Sequence, residues 1–155
     1  MIDKAAEVGG IFSLLVFVHF IADWVFQSHD SAIRKSKDTC VRAVHCCVYV
    51  AFFIVPIGYY YYVRSTLPLY YSRTLLLSLV TLLWVSHFII DSYVITLLWA
   101  KHIRKSIAFN AGITDEQAFA YMFSTPVGAI LNITIDQLQH VAVLIVVAVA
   151  LVFFQ

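Results

Sequence analysis

Two stretches of this chain are too apolar and too long for an ordinary water-soluble core: Leu69 to Ala100, interrupted only by the charges of Arg73 and Asp91, and Pro126 to Phe154, interrupted only by Asp136. Runs of that length exceed the roughly 20 residues a helix needs to cross a bilayer. The whole chain follows the same pattern, since 62% of its 155 residues are hydrophobic and 12% are charged, against about a quarter charged in soluble domains. The sequence therefore predicts an all-α, polytopic membrane protein forming one transmembrane domain over residues 1–155.

Four spans are expected, at about residues 11–27, 41–63, 72–100 and 127–154. Pro56 and Gly58 predict a bend in the second, and Tyr59 to Tyr62 suit an interfacial belt. The third is longer than a bilayer requires, which predicts tilt or a projecting end. Pro126 suits the first turn of the fourth. Between the last two, Thr114-Asp115-Glu116-Gln117 has the form of a capping box and predicts a short interfacial helix ending near Ser124. No small-residue cleavage site follows the first apolar run, so that helix is expected to stay in the mature protein. Cys40, Cys46 and Cys47 form no C-x-x-C pair and read as reduced thiols.

Orientation follows from Lys and Arg. The loops after spans one and three hold Arg34, Lys35, Lys37, Arg42, Lys101, Arg104 and Lys105, whereas Lys4, Arg64 and Arg73 lie on the other side. Seven against three places both large loops in the cytoplasm. Lys35 and Lys37 are expected to meet lipid head groups there.

Three short strings interrupt this apolar background: His19 with Asp23, His87 with Asp91, and Asp136 with His140, each pair four residues apart. Residues i and i+4 share a helix face, so each string presents an imidazole and a carboxylate together. Random placement would give roughly half such a pair. Spans one and three run toward the basic side and span four runs away from it, and the order of His and Asp reverses accordingly. In all three the carboxylate lies nearer the basic side, with the imidazole roughly 5 to 6 Å deeper. His45, early in span two, falls in the same half.

A His or Asp facing lipid costs about 2.5 to 3.5 kcal/mol, so these groups should face the bundle interior. Three uses are open: hydrogen-bonded glue between helices, a proton or ion relay, or a metal site, since imidazole nitrogen and carboxylate oxygen are ligands for first-row metals. His19, Asp23, His45, His87, Asp91, Asp136 and His140 are the candidate ligands. Gln27 and Gln137 are candidates to hydrogen-bond those ligands from outside.

At these residues the chain resembles a family of small bacterial and phage inner-membrane proteins, the domain-of-unknown-function family 3307. The resemblance lies in HFIADWVFQ (His19 to Gln27) with Lys35 or Lys37 following, His45, HFIID (His87 to Asp91) and IDQLQH (Ile135 to His140). The layout is distantly similar to membrane-bound proteins described as metal-dependent hydrolases, and more remotely to helical zinc phospholipases and nucleases. The resemblance implies a bacterial inner-membrane location and a divalent metal, with zinc first and manganese or iron next.

The leading expectation is a metal-dependent hydrolase acting on a phosphoester, a phospholipid or polyprenyl phosphate, at the cytoplasmic face. His45, Asp23 and Asp91 would be the catalytic residues, and seven nitrogen and oxygen groups would suit two metals, or one metal with outer hydrogen-bonding partners. One alternative is a transporter or channel for divalent metal or protons. Another is a non-enzymatic membrane interaction protein. Membrane lipid is the expected partner and no nucleic acid is expected.

Overall fold

The computed structural model describes residues 3–64, 69–103 and 112–154, and Arg104 and Lys105 of the expected basic loop lie outside them. Among the described residues the chain is all-helical, and four helices are long and apolar enough to cross a membrane: Lys4–Val25, Thr39–Val63, Arg73–Ile90 and Pro126–Phe153.

Helix α1 (Lys4–Phe20) starts earlier than expected because Asp3 caps it, its carboxylate accepting from the Ala5 N–H at 3.1 Å. Its last turn widens into a π-helical segment, Ile21–Val25, which carries Asp23. A short helix that sequence patterning does not reveal, α2 (His29–Arg34), follows under a Ser28 cap. Helix α3 (Thr39–Arg64) contains Pro56 without interruption of its helical assignment.

The third apolar stretch is not one helix. It divides into α4 (Leu69–Ile90) and α5 (Val94–His102), joined through Tyr93 in the left-handed conformation at φ 58°. A non-glycine residue there costs roughly 1–2 kcal/mol. The offset comes from tertiary packing: the Tyr93 ring meets Phe119 and Phe123 edge-on, with centroids 5.3 and 5.8 Å away. Those rings belong to α6 (Asp115–Phe123), which opens with the reciprocal Thr114–Gln117 capping box that its sequence announces. Helix α7 (Pro126–Phe153) begins under a Thr125 cap with Pro126 in its first turn.

The long helices form a closed ring in the order α1, α3, α4, α7, with α7 returning to pack along α1. The interior is divided by depth. One half is apolar, filled by Leu15, Phe53, Ile57, Leu83, Leu144 and Val147; the other holds His19, Asp23, His45, His87, Asp91, Asp136 and His140, all buried. Large apolar side chains such as Phe17, Val55, Leu77 and Val146 point outward. This is the distribution lipid favours, because lipid supplies no hydrophobic drive between helices and leaves packing and polar contacts to hold them together.

Candidate metal centre

The polar side chains reach the interior from all four long helices, each by a local cause. His19 occupies the last turn of α1, and the π-helical turn that follows inserts extra backbone just where Asp23 must be aimed inward. Such π turns inside helices recur at functional sites. His87 occupies the last turn of α4, and Asp91 follows at the break, its N–H still closing a turn onto the His87 carbonyl at 2.9 Å. His45 lies in the second turn of α3. Asp136 and His140 lie along α7.

Asp23, His45, His87 and Asp91 form one group, each offering a ligand atom within 4.8 Å of all the others. His45 Nε2 lies 3.0 Å from Asp23 Oδ1, 3.0 Å from His87 Nε2 and 3.4 Å from Asp91 Oδ2. His87 Nε2 lies 3.3 Å from Asp91 Oδ2 and 3.8 Å from Asp23 Oδ1. A tetrahedral ion with bonds of about 2.0–2.1 Å separates its ligands by roughly 3.3 Å, and the five distances scatter around that value. Asp91 Oδ2 is buried with no hydrogen bond of good geometry, its polar neighbours being His45 and His87 of the same group. Buried polar groups left in this state call for an ion or water to complete them. The residues present therefore fit a divalent cation.

The other expected ligands surround this group. His19 has both ring nitrogens engaged, Nδ1 with the Tyr49 hydroxyl at 3.1 Å and Nε2 with Gln137 Oε1 at 2.9 Å. The Gln137 carbonyl oxygen can only accept, which assigns the proton to Nε2 and makes Nδ1 the acceptor from Tyr49. His19 thus stands outside the four-residue group. Gln137 uses its amide nitrogen on Asp136 Oδ2, 3.2 Å away. His140 donates from Nδ1 to the Asp136 carbonyl at 3.0 Å, leaving Nε2 buried and unpaired, 3.7 Å from Asp91 Oδ1.

Lys35 departs most from its expected place. Rather than reaching head groups, it is 5% exposed and turns its ammonium inward, 3.1 Å from Asp23 Oδ1 and 3.0 Å from Asp91 Oδ1. Burial favours the neutral amine, but the two carboxylates outweigh it and hold Lys35 above its ordinary pKa, so it stays charged. With its amide oriented to satisfy both ends, Gln27 accepts from Lys35 Nζ and donates to the Asp23 carbonyl, each at 3.1 Å. Lys37 does remain at the surface, paired with Glu116 at 3.1 Å.

Tyr49 was not singled out by sequence, although it follows His45 by four residues and so shares its helix face. Its ring stacks on His87 while its hydroxyl serves His19. Arg42 is a second omission; it is buried and donates to the Lys35 and Ser36 carbonyls at 2.9 and 3.2 Å.

A cleft of about 480 Å³ leads to this centre, lined by Asp23, Gln27, Lys35, Tyr93, Asp136 and Gln137, with Trp24, Ala32 and Ile133 along its apolar parts. Ser28 and His29 place its mouth on the side of the first loop.

Fold and site together define an all-α bundle of membrane-spanning type with a buried His/Asp cluster opening to one end. The chain belongs to the family described as "Protein of unknown function (DUF3307)", whose family model matches residues 11–155. No curated protein and no solved structure matches it.

Proposed function

We propose that the protein is a membrane-embedded, metal-dependent hydrolase of a phosphoester, with a phospholipid or polyprenyl phosphate as substrate. The observation that carries this reading is the four-residue group, spaced like the corners of a metal-binding tetrahedron and reached through Asp23 by an open cleft. Asp23, His45, His87 and Asp91 would hold the ion, with two nitrogens and two oxygens suiting zinc first and manganese or iron next. A bound divalent cation supplies an activated water and withdraws charge from a phosphoryl oxygen.

The protein's own groups supply the rest. Asp23 and Asp91 belong to the ligand group, and His45, with Nε2 inside it, is assigned to holding the ion rather than to protonating a leaving group. Asp136, in the cleft wall beside Gln137, is the carboxyl placed to give that proton. Water oxygen would bond to phosphorus while its proton passes to water in the open cleft, the phosphorus–alcohol oxygen bond would break, and the departing oxygen would take a proton from Asp136, which the cleft water then reprotonates. Trp24 and Ile133 suit the apolar part of a lipid while the polar floor meets its phosphate.

Transport is less well supported. A path across the bilayer would have to continue past Leu15, Phe53, Leu83 and Leu144, each at most 1% exposed and all apolar. The basic bias of the loops would put the cleft mouth on the cytoplasmic side of a bacterial inner membrane.

The test combines composition and turnover. Full-length protein purified gently in detergent without chelator should carry stoichiometric metal by mass spectrometry. It should release phosphate or alcohol from phosphatidate or polyprenyl phosphate in mixed micelles, and Asp23→Ala and Asp91→Ala should each lower that rate at least about 100-fold. Metal at background, with turnover unchanged in both variants, would refute the proposal.

A further inference from the structure

We infer that Lys35 is the second cation of this centre: a single divalent ion belongs to the four-residue group, and the Lys35 ammonium takes the bridging place that a second metal ion would otherwise occupy. The inference rests on the metal-centre reading above and deepens it.

The division of oxygens at Asp91 is the first support. Its Oδ2 faces His45 and His87 at 3.4 and 3.3 Å, whereas its Oδ1 faces Lys35 Nζ at 3.0 Å. One carboxylate thus serves the ligand group with one oxygen and a lysine with the other, as a bridging carboxylate serves two ions. Asp23 serves both sides with a single oxygen, its Oδ1 lying 3.0 Å from His45 Nε2 and 3.1 Å from Lys35 Nζ.

The ammonium is also built in. Its three protons match three acceptors, Asp23 Oδ1, Asp91 Oδ1 and Gln27 Oε1. The backbone is fixed from both directions: the Lys35 N–H donates to the Ser31 carbonyl at 2.9 Å and its carbonyl accepts from Arg42 Nη1 at 2.9 Å.

The surroundings indicate what Lys35 excludes. Asp91 Oδ1 is also 3.7 Å from His140 Nε2, which is buried and unpaired. Asp91 Oδ1, His140 Nε2 and Asp23 Oδ1 offer ligand atoms of the kinds a second ion uses, and the positive charge of Lys35 stands among them. Lys35 also lines the cleft, so an entering phosphate would meet a lysine point charge beside the metal. In a two-metal site that contribution comes from the second ion.

Zinc stoichiometry on the full chain in detergent decides the matter, read by native mass spectrometry and by elemental analysis after exhaustive buffer exchange. Wild-type protein should bind one zinc per chain. Lys35→Met, which keeps most of the stem and removes the charge, should bind two, and Lys35→Arg should bind one. Two zinc ions in the wild type, or one in a folded Lys35→Met, would overturn the role given to Lys35 while leaving the metal centre standing. No zinc in the wild type would instead remove the centre itself. Should Lys35→Met fail to fold, Lys35→Gln, which also removes the charge, takes its place: two zinc ions are expected, and one in the folded variant overturns the inference.

Discussion

Tyr49 lies flat against His87, with ring centroids 3.6 Å apart and planes inclined by 12°, and the same Tyr49 gives its hydroxyl proton to His19. One side chain thereby fixes the plane of a candidate ligand and the tautomer of its neighbour. Tyr49→Phe keeps the stack and removes the hydrogen bond, leaving His19 Nδ1 buried and unpaired; it should cost about 1–3 kcal/mol of stability with zinc stoichiometry unchanged. Tyr49→Ala removes the stack as well and should cost about 3–5 kcal/mol. Thermal or denaturant unfolding in detergent, alongside metal analysis, checks both.

The histidines should separate into two classes. His45→Ala and His87→Ala each delete a member of the four-residue group, and metal should fall to background at micromolar zinc. His19, whose nitrogens are committed to Tyr49 and Gln137, acts only through those partners. His19→Ala should retain one zinc with affinity reduced about 10- to 100-fold. Competition titrations against a chromophoric chelator measure the difference, and equal losses for all three would contradict the division.

Much of this was legible in the residues themselves, and what was not has specific causes. The presence of four long apolar helices, the α6 capping box at Thr114 and the first-turn Pro126 are local signals that the fold obeys, although the third stretch divides at Tyr93. The face shared by His87 and Asp91 follows from i,i+4 spacing, and both residues join the central group. The break at Tyr93 carries no Gly or Pro and depends on Phe119 and Phe123, some thirty residues away, so no local pattern could announce it. The inward turn of Lys35 has the same origin. A lysine in a basic loop reads as a surface residue until Asp23 and Asp91, from two other elements, meet at its ammonium.

Gly128 marks a close approach that side-chain chemistry does not reveal. A Cβ there would overlap the Met122 carbonyl oxygen and lie 2.7 Å from Thr125 Oγ1. Because the first of these is backbone, Gly128→Ala must push α6 away from the start of α7, and overpacking of this kind costs about 1–3 kcal/mol. Gly58, inside α3, has nothing within 4 Å of its virtual Cβ. Gly58→Ala should instead stabilise by about 0.5–1 kcal/mol. Opposite signs in paired unfolding midpoints are the expected result, and a neutral Gly128→Ala would show that the α6–α7 contact yields.

Asp38 sets the acid limit of the loop that carries Lys35. Its Oδ1 accepts from the Cys40 and Val41 N–H groups at the start of α3, at 3.0 and 3.2 Å, and its Oδ2 pairs with Arg34 at 2.8 Å. The Val41 N–H and then the Arg34 guanidinium hold its carboxyl below the usual value. A group depressed on folding contributes stability that is fully present above its unfolded pKa, near 3.9, and is lost as pH falls through the lower folded value. Asp38→Ala should therefore lower the unfolding midpoint at pH 7, and the gap from wild type should close as pH drops below about 4. Asp38→Asn, which keeps an acceptor for the helix N–H groups but loses the charge, should fall between the two at pH 7 and show less pH dependence than wild type. A gap that stays constant from pH 7 to pH 3 would mean that the carboxylate charge adds nothing to how this helix begins.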